Sequence, residues 1–241
     1  MDMDMNAMKA EIGGAFAVAW LVIGIGMEWD LTAAVLMAAV WMAFSGAHVL
    51  PVITWMHIMT GDLGDTEGNW MPNGMRLLAQ VVGAGLAIAL MSEMGALDSP
   101  WETIQPGFEA PDAWGAITMI AAGAIFWTVH TRAESAWVSG FAVMALAGMM
   151  GMSYDWTMAV GVDAAGDAVM ASGSSTTSGA GEMASSLFSS GHEIAQIAQA
   201  WIVDGIMCGI GALVAVTVSY THLRAHETPE HLVCRILLEK K

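Results

Sequence analysis

Three places in this chain gather side chains that could do chemistry. The first is SGAHVLPVITWMHIM, residues 45–59, which sets Ser45, His48, Thr54 and His57 beside Met56 and Met59. Imidazole and thioether groups this close raise a soft-metal site. Against it, His48 and His57 stand on either side of Pro51, no carboxylate or cysteine is spaced to join them, and Met occurs 22 times in the chain. A metal-binding membrane oxidoreductase is therefore the weakest reading; no metal, no other cofactor and no enzyme activity are expected. The second place is a pair of acids, Glu11 and Asp112, each at the start of an apolar run. They serve either as proton-relay carboxylates or as acceptors for loop backbone N–H groups, and at helix starts the structural role is favoured. The third is SGAGEMASS, residues 178–186, with Glu182, Met183, Ala184 and Ser185 at its centre. Asp204, inside a later apolar run, has no role unless it faces a pore or a subunit contact.

The segments around these residues decide what they can do. The chain has 241 residues, 56% hydrophobic and 12% charged, with 27 Gly and 11 Trp. That leaves too little polar surface for a water-soluble fold, and several apolar runs approach the ~20 residues that cross a bilayer. A polytopic, all-α membrane protein is expected. The formal charge of −16 has the wrong sign for nucleic acid and lies mostly between the apolar runs, as solvated loop surface. The opening MDMDMNAMKAE is acidic and lacks the basic start of a secretory signal, so the first apolar run is expected to stay as a helix. Cys208 and Cys234 are too few for a disulfide framework or a cysteine metal site.

Apolar windows predict six crossings, over residues 10–27, 31–44, 75–94, 114–131, 136–152 and 198–218. Lys9 precedes the first, Arg76 opens the third and Arg132 closes the fourth, so all three cations fall on one side and the N-terminus is expected in the cytoplasm of a cell-membrane protein. The halves repeat: EIGGA at Glu11 returns as DAWGA at Asp112, SGAHVLPVI at Ser45 as SGAGEMASS at Ser178, and GAGLAIAL at Gly83 as GIGALVAV at Gly209. Shared order across halves of opposite orientation describes an inverted repeat, about 10–94 and about 112–218. The second half carries an insertion at about 153–177, rich in Gly, Ser, Thr and Asp, expected as a mobile extracellular loop. Ala79, Gly83 and Ala87, like Gly205 and Gly209, are spaced for close helix contacts across the repeat.

Non-helical backbone at membrane depth survives only when buried in protein or lining a wet cavity, so residues 45–50 read as a re-entrant loop. Pro51 then suits the first position of a half-helix, where its missing N–H is no loss. EMASSLFSS from Glu182 is its counterpart, and the two positive helix ends would meet near the midplane.

These residues resemble the aquaporins, or major intrinsic proteins. Ser45, Gly46, Ala47, His48, Pro51 and Thr54 are similar to that family's first re-entrant motif, Ser-Gly-Ala-His before an Asn-Pro-Ala box and Val-Thr. RLLAQVVGAGLAIAL from Arg76 looks like its third helix, and Glu11 with Gly13 and Gly14 like the start of its first. Ser178, Gly179, Ala180, Ala184 and Ser186 are similar to the second approach and box. The resemblance covers about residues 10–218 and implies six helices and two half-helices around a pore in each of four subunits. It also implies a packed His48, bonded to loop carbonyls. The pore positions are then His48, Leu50, Pro51, Val52, Glu182, Met183, Ala184 and Ser185. Four depart from the family: Leu50 stands for the first asparagine, Glu182 and Met183 for the second Asn-Pro, and Ser185 for the selectivity arginine. The implied function is a passive channel for water or a small neutral solute in a lipid bilayer; a non-conducting membrane scaffold is the alternative.

From about Val218 the composition switches, with four of the seven basic residues, three of the seven histidines and Cys234 in the last stretch. VSYTHLRAHETPEHLVCRILLEKK closely resembles translated sequencing-library adapter, so residues 219–241 are read as an artefact following a channel domain of residues 1–218. The other reading is a cytoplasmic amphipathic tail.

Overall fold

The structure is a computed structural model that describes residues 5–24, 28, 30–93, 110–162, 168–176, 180–188 and 194–225. Its apolar runs are helical. Helix α1 spans Met5–Ala19 and runs on as a π-helical turn, Trp20–Gly24; α2 spans Leu31–Ala43, α3 Pro51–Thr60 and α4 Met71–Glu93. Helix α5 spans Ala113–Ala133 and α6 Ala136–Leu146, tightening into a 3-10 turn over Ala147–Met150; α7 spans Ala180–Phe188 and α8 Ile194–Ala225. The caps are local sequence features. Asp30 accepts the Ala33 amide at 3.0 Å to open α2, and Asp112 accepts that of Gly115 at 2.7 Å to open α5.

Three helical stretches are long and apolar enough to cross a bilayer: Thr66–Met91, Ala113–Ala133 and Trp201–Ser219. Leu31–Ala43 and Ala136–Met150 are apolar but shorter. The 13 residues of α2 rise only about 20 Å, against a hydrocarbon core of ~30 Å. Helix α4 carries an outward stripe of Leu78, Val82, Leu86 and Leu90, all exposed, while Ala84, Ala87, Ile88 and Met91 on its other side are fully buried. An apolar stripe of four turns turned outward suits hydrocarbon surroundings and would be a liability in water.

The packing of these helices has a regular pattern. Helix α1 packs on α4 and α5 on α8; α2 packs on α6; short α3 lies against α8 and α4, and short α7 against α4 and α8. Exchanging α1–α4 for α5–α8 turns each of these pairs into another of them. Close approaches need the small residues: a side chain at Gly83 would strike the Ile12 backbone of α1, and one at Gly211 the Ile120 backbone of α5. Gly205 and Gly209 of α8 lie under Trp55 and Met59 of α3, joining the two halves, whereas the Gly83 contact lies within the first.

The insertion differs from the loop that its composition predicts. Ser153–Val162 and Ala168–Thr176 form an antiparallel hairpin, β1–β2, in register from Ser153 opposite Thr176 to Val162 opposite Ala168, with an irregularity between Ala159 and Gly161. Glycine and serine dominate the composition, but Tyr154, Trp156, Thr157, Val160 and Val162 give the first strand β-forming residues. Pairing two strands also satisfies backbone groups that an open loop would leave to water. Helix α8 continues past Val218 to Ala225 without a break, and residues 226–241 lie outside the described residues.

Candidate pore-loop site

The site is built on the turn between α2 and α3. Gly46 and Val49 both have positive φ, 83° and 68°. Val49 sits at the centre of a γ-turn, its neighbours closed by the bond from the Leu50 N–H to the His48 carbonyl at 2.8 Å. A β-branched residue in that conformation is strained by about 1–3 kcal/mol. Leu50 then turns extended as the cap of α3, Pro51 occupies the first turn, and the Ile53 and Thr54 amides return to the Leu50 carbonyl.

Glu11 of α1 holds this turn in place. Its carboxylate has no exposed surface and accepts four donors: the amides of His48 (2.6 Å) and Val49 (2.9 Å), Arg76 Nη1 (2.6 Å) and Gln80 Nε2 (2.9 Å). Two oxygens with about four lone-pair positions match four donors. Arg76 also donates to the Gly46 carbonyl at 3.0 Å, so α4 grips both ends of the turn. Gly14 lets α1 come this near, since a side chain there would strike Val49.

A second line of bonds leads from Gln80 to the histidines. Gln80 Nε2 also donates to Thr54 Oγ1 at 3.0 Å, and Thr54 Oγ1 lies 3.1 Å from His48 Nδ1. The Thr54 hydroxyl, with one hydrogen and two lone pairs, thus joins the Gln80 amide to the His48 ring. Gln80 Oε1 is buried with no hydrogen-bond partner among the described residues. The His48 ring stacks on His57 at 4.0 Å and 3°, and His57 meets Trp127 of α5 edge-on at 4.8 Å. His130 of α5 stacks on Phe126 at 5.2 Å, lies 5.9 Å from Trp41 and bonds Ser139 of α6 through Nδ1 at 2.8 Å.

This geometry bears on each candidate residue. His48 is half-buried: its own carbonyl accepts from Leu50 and, at 3.4 Å, from Trp41 Nε1, and its ring bonds a threonine hydroxyl rather than a carbonyl. Parallel rings 4.0 Å apart put the lone pairs of His48 and His57 in separate planes, so the two do not converge on one ion, and Met56 and Met59 are spent on packing. Leu50, Pro51 and Val52 are buried, Leu50 completely. Glu11 takes the acceptor role for the loop. Asp112 takes a different one, because it precedes α5 and, among the described residues, its carboxylate accepts only from its own first turn, at Gly115. Met183 and Ala184 are buried in α7; Glu182 and Ser185 belong to the same helix, and their side chains lie outside the described residues, as do Ser178 and Gly179. Asp204 packs against Gly151, beyond the 3-10 turn that ends α6.

Gln80 and the loop-holding role of Arg76 escape a reading of motifs, although a signal exists. In RLLAQVVGAGLAIAL they are the only polar side chains, four positions apart and so on one helix face. Nothing local signals that Trp41, Phe126 and His130 meet. Compared with protein-family models, with curated proteins and with solved structures, the chain matches none.

Proposed function

We propose that this chain is a passive membrane channel for water or a small neutral solute, built as six spans and two re-entrant half-helices in an aquaporin-like inverted repeat. The observation that carries the reading is the reciprocal seating of the two short helices: α3 lies on α8 of the other half and α7 on α4. At 10 and 9 residues neither crosses a bilayer, and each needs protein around it at membrane depth. The Glu11 carboxylate, taking two amides of the strained turn, supports the same reading, because it satisfies non-helical backbone where water is scarce. Lys9, Arg76 and Arg132 lie at the ends of α1, α4 and α5 that the positive-inside rule assigns to the cytoplasm. Four such subunits side by side would cover the apolar outer faces in part.

Leu50 sets the expected rate. It closes the tip of the loop with an apolar side chain that has no exposed surface and packs among core residues including Ile53 and Met56. An apolar constriction excludes water by dewetting. Low flux is expected of this sequence, with a rise when Leu50→Asn and Glu182→Asn are combined and a smaller rise for Leu50→Asn alone. Stopped-flow swelling of proteoliposomes measures it. A parent protein already as fast as the double variant would refute the assignment of the constriction. The complete burial of Leu50 also favours a second reading, a non-conducting membrane scaffold; that reading requires a well-folded oligomer with no permeability in either form.

A further inference from the structure

The outer groove between α5 and α8 has a polar end and apolar walls. Two overlapping cavities, about 460 Å³ and about 280 Å³, open along it. Ile125, Thr128 and Val129 of α5 face Val214 and Ala215 of α8 across the larger one. Arg132 and Ser219 border both cavities, with Arg132 Nη2 2.7 Å from Ser219 Oγ. Arg132 stands at the end of its span, Ala113–Ala133, which stops one residue beyond it, and Ser219 faces it from α8. The polar end therefore sits at headgroup depth, and the apolar walls run into the hydrocarbon.

Charge complementarity identifies the occupant. Of the three cations at this level, Arg76 is neutralised by Glu11, whereas Lys9 and Arg132 are exposed with no carboxylate partner among the described residues, and of these two Arg132 borders the groove. Glu134, two residues on, begins the turn after α5 in a left-handed conformation and makes no ion pair with Arg132. An exposed guanidinium above an apolar slot matches a phosphate carried on an acyl chain. We propose that the α5–α8 groove binds an anionic phospholipid, its phosphate on Arg132 and one acyl chain against Ile125, Val129 and Val214. This goes beyond the channel reading and does not depend on it.

The test uses the full chain, purified in detergent, with phosphatidylglycerol and phosphatidylcholine of identical acyl chains. Retained lipid is counted by native mass spectrometry, and thermal unfolding is followed in parallel. Phosphatidylglycerol should be retained preferentially and raise the unfolding temperature. Arg132→Gln should weaken that retention about fivefold to tenfold, and Arg132→Lys should keep part of it. Val214→Trp, at an exposed wall position, should reduce retention of the anionic lipid while leaving unfolding without lipid unchanged. Equal retention of both lipids, an Arg132→Gln variant that binds like the parent, or the same thermal shift from inorganic phosphate alone would each overturn the proposal. So would dissociation of an oligomer by Val214→Trp, which would assign the groove to a second copy of the chain.

Discussion

Replacing Glu11 by glutamine changes one oxygen to an amide nitrogen and tests the whole account of the turn. The carboxylate now accepts four donors within 2.6–2.9 Å. A glutamine oxygen can keep two of them, and the new NH₂ aims its hydrogens at the other two. Each buried donor left unmet costs about 1–3 kcal/mol, so two cost about 2–6 kcal/mol. Removing the charge beside Arg76 adds to this, discounted because that side chain is 20% exposed and can turn toward water. The strain of Val49, about 1–3 kcal/mol, then loses the contacts that offset it. We expect Glu11→Gln to destabilise the protein by roughly 3–6 kcal/mol, enough to exhaust much of a typical folding stability. The assay is thermal unfolding in detergent, followed by loss of the monodisperse peak in size-exclusion chromatography. Alanine at Asp112 serves as the comparison, since it removes one exposed helix cap worth about 1 kcal/mol. If Glu11→Gln is no worse than Asp112→Ala, then Glu11 is not what holds the turn.

Other substitutions separate the remaining features. Gly83→Leu should destabilise by more than about 3 kcal/mol, because its side chain would meet the Ile12 backbone rather than a movable side chain. Gly46→Ala should cost only about 1–2 kcal/mol, the penalty for a side chain at φ 83° where nothing lies within 4 Å; similar losses at the two glycines in thermal unfolding would contradict the helix contact. Thr54→Val removes the acceptor for Gln80 and the hydroxyl partner of His48, and should cost about 1–3 kcal/mol despite its equal size; an unchanged unfolding temperature would break the proposed bond line. Deleting residues 219–241 should leave membrane insertion and oligomer size unchanged, measured by membrane fractionation and light scattering, since the apolar run of residues 198–218 is already about 20 residues long.

Much of the local structure was legible because its causes are local. Apolar runs of sufficient length, aspartates at helix starts, and a proline where a helix must begin are properties of neighbouring residues, and the helices follow them. The serine–glycine interruption before Pro51 likewise marked a break in the apolar run. Composition misled at residues 153–176, because glycine and serine counts say little about whether two strands will pair. The windows matched α2 to within one residue at its end, and for α6 they missed only that the last turn, Ala147–Met150, tightens to 3-10.

What only the tertiary structure decided is the set of contacts that makes a site. Sequence supplied Glu11, His48, Arg76 and Gln80 as polar residues in apolar surroundings, and the cost of burying each meant that partners had to exist. It could not say that these four were the partners, because they are separated by 37, 65 and 69 positions from Glu11 and meet only when α1, α4 and the turn are packed. The positive φ of Val49 has the same origin: valine avoids that conformation on its own, and it is imposed by a carboxylate from another helix. The stack of His48 on His57, with Trp127 at its edge, depends equally on α5 reaching α3. Propensity and hydropathy act within a few residues, whereas burying a charge is resolved by whichever distant groups the packing brings within about 3 Å.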